Sequence, residues 1–186
     1  MMKKFVAGLM AAVATVAGAE TVQVGQTAPD FAVPSTAGDV KLADYKGKWL
    51  VLYFYPKSFT GGCTKESCSL RDGYAEIQAQ GAVILGSSFD DVETQKKFKA
   101  EYKLPFELLA DTKKEVATAY DSVMIGGLMA SRTTYIVSGK GIITHHFARV
   151  DVFKHAGEVL ALFGSPTAVA ATATPGCRRC ARSASA

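Results

Sequence analysis

From Val22 to about Gly164, short apolar runs alternate with helix-like segments of mixed polarity. Trp49-Leu50-Val51-Leu52-Tyr53-Phe54-Tyr55 is an unbroken β-branched and aromatic run that stops at Pro56. That is the pattern of a strand buried on both faces of a sheet. Ala82–Gly86 and Thr133–Val137 repeat it, and Glu107–Leu109 is a shorter version. Ser138-Gly139-Lys140-Gly141 carries hairpin-turn residues into a further strand, Ile142–Phe147. Helices are expected at Thr64–Gln80, Val92–Tyr102, Lys113–Tyr120 and Phe153–Phe163. Asp90 or Asp91 is placed to cap the second and Asp111 the third, while Pro105 separates the second helix from the strand after it. Strands alternating with helices predict an α/β fold, a central sheet covered on both faces, and the late hairpin makes that sheet mixed.

The chain has 186 residues, enough for one domain with a real core and short for two. Its 48% apolar and 20% charged residues are ordinary for a globular protein. The net charge of +4 comes from the ends: Lys3 and Lys4 at one, Arg178, Arg179 and Arg182 at the other. Without those five, 16 Lys and Arg face 17 Asp and Glu, so no phosphate-binding surface and no nucleic-acid partner are expected. Met1-Met2-Lys3-Lys4, the apolar stretch Phe5–Ala17 and the small residues Ala17-Gly18-Ala19 read as an export signal, residues 1–19. The alternative is an uncleaved anchor, for which the stretch is short and rich in Ala and Gly. The expected result is an exported, periplasmic or cell-envelope protein beginning near Glu20, with no stable membrane insertion. Residues 20–164 then form the domain. Residues 165–186, rich in Ala, Thr, Ser and Arg, read as a disordered low-complexity tail.

The chemistry concentrates in Pro56-Lys57-Ser58-Phe59-Thr60-Gly61-Gly62-Cys63-Thr64-Lys65-Glu66-Ser67-Cys68. This segment leaves the C-terminal end of a buried strand and enters a helix, the edge where reactive groups of open α/β sheets gather. A cysteine in a helix's first turn faces unpaired N–H groups and the positive end of the dipole, which favour the thiolate. The two preceding glycines let the backbone bend closely around a small ligand. Thr60 can place a hydroxyl beside the sulfur. Taken alone, Cys63 could instead be a small buried hydrophobe.

The combination resembles the peroxiredoxin family, whose pattern of Pro, three residues, Thr or Ser, two residues and Cys is filled by Pro56, Thr60 and Cys63. Phe54-Tyr55-Pro56-Lys57 and Gly62-Cys63-Thr64-Lys65-Glu66 are similar to the bacterioferritin-comigratory-protein or Q-type subgroup, and the likeness runs from about Val24 to Phe163. It implies a thioredoxin-like fold and a peroxidase that reduces hydrogen peroxide or alkyl hydroperoxides without metal, haem or flavin. Cys63 would be the peroxidatic thiol, oxidised to a sulfenic acid. Thr60 would hydrogen-bond thiolate and peroxide, and Pro56 would pack over the sulfur. Arg132 would arrive from a distant strand to stabilise negative charge, with Glu66 orienting it. A thioredoxin-like protein or a low-molecular-weight thiol would be the reductant, and a monomer is expected over an oligomer. One departure is Gly61, where the subgroup usually has Pro.

The resemblance also assigns Cys68 as the resolving cysteine, bonding to Cys63 within the chain. At 1.5 Å and 100° per residue, helical positions five apart have Cα atoms about 8.7 Å apart, beyond the roughly 7 Å a disulfide spans. The bond therefore requires the first turns to unwind, a motion eased by Gly61 and Gly62 and bounded by Gly73. Cys68 as a core residue with an external resolving thiol is the alternative. Cys177-Arg178-Arg179-Cys180 is another candidate partner, lacking a surrounding strand or apolar helix. His145, His146 and His155 read as structural. Two other functions stay open: a thiol–disulfide oxidoreductase of the same fold, and a non-catalytic redox-sensing or chaperone-like protein with Cys63–Cys68 as a staple.

Overall fold

The computed structural model describes residues 22–124 and 126–164. The export segment, the tail and Cys177 and Cys180 lie outside the described residues. In chain order the strands are β1 (Ala32–Ser35), β2 (Gly38–Lys41), β3 (Trp49–Phe54), β4 (Ala82–Ser88), β5 (Glu107–Ala110), β6 (Thr133–Val137) and β7 (Ile143–Phe147). The helices are α1 (Gly61–Asp72), α2 (Tyr74–Ala79), α3 (Val92–Tyr102), α4 (Glu115–Ala119) and α5 (His155–Ala161), with a 3₁₀ turn at Leu42–Tyr45.

All seven strands form one sheet in the order β2-β1-β5-β4-β3-β6-β7. β3, β4 and β5 are mutually parallel, and β6 and β7 add on antiparallel, so the sheet is mixed. Alternation along β3 divides the core. Val51, Tyr53 and Tyr55 face the layer containing Cys63, Leu70, Ile77, Phe98 and Val159, while Leu50, Leu52 and Phe54 face Leu85, Val116, Tyr120 and Tyr135. With both faces covered, β3 is buried from Leu50 to its end. The sheet thus carries α1, α2, α3 and α5 on one face and α4 with the 3₁₀ turn on the other. Trp49, at the start of β3, meets Phe163 edge to face at 5.5 Å.

The expected helix Thr64–Gln80 is two helices, starting earlier at Gly61 and divided at Gly73. A β-carbon on Gly73 would stand 2.7 Å from Cβ of Ala156, so the break lies where α5 presses closest on this segment. Asp91, rather than Asp90, caps α3 by accepting from the Thr94 amide at 2.7 Å. Asp111 serves α4 from a distance, accepting from the Val116 and Ala117 amides at 3.2 and 2.8 Å. The β1–β2 hairpin lies outside the strands expected from the sequence.

Candidate active site

β3 delivers the chain to the C-terminal edge of the sheet, where Tyr55 still donates its amide to Ser87 at 3.0 Å. The loop that follows is fastened to α3. Ser58 N–H donates to Asp90 at 2.7 Å, and the buried Tyr55 hydroxyl donates to Gln95 Oε1 at 2.5 Å. Gln95 in turn donates to Ser88 Oγ and the Leu109 carbonyl at 2.8 and 3.1 Å. Phe59 takes a left-handed backbone, φ 64°, costly for a bulky side chain. Its ring rests on Phe98 and Tyr102 at 5.2 and 6.2 Å between centroids. The contacts that tie Tyr55 and Ser58 to Asp90 and Gln95 escaped the sequence reading because the partners lie 32 to 40 residues apart. Pro56 is half-buried at the start of this loop.

Thr60 is the N-cap of α1, and its hydroxyl donates to the Lys57 carbonyl at 2.9 Å. Toward an incoming group it therefore offers lone pairs, not its proton. Gly61 is the first helical residue, where proline is equally compatible, so its presence costs no backbone hydrogen bond. Gly62 does something other than shape a loop. A β-carbon there would stand 3.2 Å from Nη2 of Arg132, so the missing side chain is the room the guanidinium occupies.

Cys63 lies in the first turn of α1, a free thiol with 0% exposure. It is not joined to Cys68, which is also buried, and α1 is continuous through both. Arg132, immediately before β6, reaches across 69 residues of sequence and donates Nη2 to the Cys63 sulfur at 3.2 Å. Its other terminal nitrogen, Nη1, donates to Glu66 Oε2. Glu66 has 0% exposure, and burial pushes its carboxyl up to about 7 against the opposing pull of Arg132. For Arg132 burial works against the cation, and the adjacent Glu66 and Cys63 outweigh it and raise its pKa. One guanidinium thus serves two acidic groups in a region of low dielectric, where such interactions are strong. Among the described residues no group of His, Cys, Asp and Glu could hold a metal ion. A cavity of about 340 Å³ lies at the other end of the sheet, lined by Tyr45, Leu50, Val137 and Lys140 among others.

His145 and His146 fall in β7 and are exposed, His146 stacking on Tyr135 at 4.3 Å. His155 is fully buried at the start of α5. No described helix is long and apolar enough to cross a membrane.

Comparison with known proteins fits this geometry. Residues 24–146 match the model of the AhpC/TSA family. Peroxiredoxin Bcp of Bacillus subtilis is 39% identical over 147 residues, 75% of this chain and 94% of that one. Peroxiredoxin Q, chloroplastic, of Oryza sativa subsp. japonica is 36% identical over 147 residues, 77% of this chain and 68% of its own. The bacterioferritin comigratory protein of Xanthomonas campestris, whose structure was described for its alkyl peroxide reduction activity, superposes with a TM-score of 0.68. That match has 31% identity and covers 72% of this chain and 90% of the other. A fully buried thiol at a helix start, gripped by an arginine from the next strand of a thioredoxin-like sheet, is thus found in a chain that belongs to the AhpC/TSA family, in its Bcp or peroxiredoxin Q branch, and is a thiol-dependent peroxidase.

Proposed function

We propose that Cys63 is the peroxidatic thiol and Cys68 the thiol that resolves it as an intramolecular disulfide. The observation that carries the first assignment is the hydrogen bond from Arg132 Nη2 to the buried sulfur, with Glu66 on Nη1. A fixed cation at that place stabilises the thiolate and the negative charge that develops on the leaving oxygen. The thiolate attacks the distal peroxide oxygen, the O–O bond breaks, and Cys63 becomes a sulfenic acid as an alcohol or water leaves. Thr60, its own proton committed to Lys57, accepts a hydrogen bond from the peroxide. Pro56 limits the approach of water. Cys68 is disulfide-bonded in the structure, so the thiol donor must first free it; its thiolate then attacks the sulfenic sulfur, water departs and the 63–68 disulfide forms. A dithiol donor, a thioredoxin-like protein or low-molecular-weight thiols, returns both cysteines to thiols.

Because α1 is continuous from Gly61 to Asp72, the disulfide demands that its first turns open. Export remains part of the proposal and rests on residues 1–19 of the sequence. Action as a monomer is likewise part of the proposal, on the resemblance to the Q-type subgroup.

The test is peroxide consumption with dithiothreitol, comparing the wild type with Cys63→Ser and Cys68→Ser, together with mass-spectrometric mapping of disulfides. Cys63→Ser should abolish turnover. Cys68→Ser should leave the first oxidation intact but slow turnover and abolish the 63–68 crosslink. A crosslink from Cys63 to Cys177 or Cys180 in place of Cys68 would reassign resolution. Wild-type consumption no faster than that of free thiol would sink the peroxidase assignment.

A further inference from the structure

Outside the centre just described, His155 is a fully buried ionisable side chain. It opens α5, has 0% exposure, and sits edge-on to Phe147 at 5.6 Å. Its ring is poorly served by its own helix. Nδ1 has no hydrogen-bond partner, and Glu158 Oε2, likewise unpartnered, lies 3.6 Å away. The one well-made polar contact runs to the sheet, between Nε2 and Thr134 Oγ1 at 2.9 Å.

Within β6 side chains alternate, so Thr134 and Ile136 point to one face, and Arg132, two residues before Thr134, reaches Cys63 on that same face. That face is the Cys63 layer, since Ile136 packs in the same apolar cluster as the sulfur. Thr134 is also paired in register with Tyr53, whose hydroxyl meets Ser67 of α1 at 3.0 Å. His155 therefore grips the strand beside the arginine and opposite the residue that grips the catalytic helix. We propose that His155 is a positioning residue for the peroxidase reaction, fixing through Thr134 the strand end from which Arg132 reaches Cys63. Burial, with a smaller contribution from Arg132, lowers the imidazole's pKa to about 4. It is neutral near pH 7 and adds no second cation to compete for Glu66 or the thiolate.

The proposal rests on Cys63 and Arg132 acting as assigned above, and its test is built to fail separately. Because the contact runs through Nε2, glutamine, whose amide reaches that far, can replace it, whereas shorter asparagine mimics Nδ1 and leucine fills the space without polarity. His155→Gln should keep the second-order rate of Cys63 with peroxide within about twofold. His155→Asn and His155→Leu should lower it about three- to tenfold, the size of one lost hydrogen bond. They should also move the ultraviolet thiolate titration of Cys63 to higher pH. Thr134→Val, which removes the partner hydroxyl at constant shape, should give the same loss, and combining it with His155→Leu should add little further. If Leu at 155 does not fold, Thr134→Val decides. An active wild type whose rate and thiolate titration are unchanged in Thr134→Val, or in a folded His155→Leu, overturns the positioning role. So do effects that simply add in the double variant. A wild type without peroxidase activity would instead bring down the underlying assignment.

Discussion

Arg132 donates along two directions at once, to Cys63 from Nη2 and to Glu66 from Nη1. A lysine would keep the charge but not the fork, since an ammonium is a point charge on a flexible stem. Arg132→Lys is therefore expected to slow the stopped-flow reaction of Cys63 with peroxide about 10- to 100-fold, the worth of one hydrogen bond to a charged group. A loss under about threefold would mean that charge alone suffices. At this scale the sequence was uneven. Pro56, Thr60 and Cys63 stand within eight consecutive positions and could be read locally. Arg132 is 69 residues from the sulfur it touches, and no local pattern links them; family resemblance supplied that pairing. Gln95 and Asp90, which fasten the loop, had neither a pattern nor a resemblance to point to them. The same holds for the contact between His155 and Thr134, which exists only because α5 folds back over the sheet.

Among the elements, the close approach of α1, α2 and α5 is the most exacting. A methyl group added at Gly73 would meet Cβ of Ala156 at 2.7 Å. Gly73→Ala should cost about 1–3 kcal/mol in a denaturant titration, the usual price of overpacking. Ala156→Gly introduced in the same chain should recover much of it. An undiminished midpoint in the single variant would show that the helices part freely. This contact is also why one expected helix is two. Apolar periodicity does not reveal which glycine will face a neighbouring helix. β3 and α3 were legible because one is a long unbroken apolar run and the other a capped segment ending near a proline. β1 and β2 have four residues each, with only Val33, Ser35 and Val40 buried, too few for a period of two to emerge. α4 starts later than expected because Lys114 is left-handed, φ 64°.

For the molecule as a whole, two buried groups titrate in opposite senses. Glu66 is raised from 4.5 to about 7 in the folded chain. Its contribution to stability is complete below pH 4.5 and is lost as pH rises through 7. His155 is lowered from 6.5 to about 4. Its contribution is present above pH 6.5 and is lost as pH falls through 4. Each swing is on the order of 3 kcal/mol, so between pH 4 and 7 they largely offset each other. Urea titrations across that range should show a nearly flat wild-type profile from these two groups. Glu66→Gln should leave stability climbing with pH, and His155→Gln should leave it declining. Parallel profiles for all three proteins would show that neither group titrates there.

The chain has a single tryptophan, Trp49. It sits where β3 begins, against Phe163 just past α5, while Cys63 follows the far end of a strand about 20 Å long. Its fluorescence is therefore deaf to the sulfur itself and attuned to the seating of the last described turn on the sheet. A change in emission on adding peroxide would time the arrival of a disturbance at α5, giving a kinetic clock for motion that starts at the thiol and needs no attached dye.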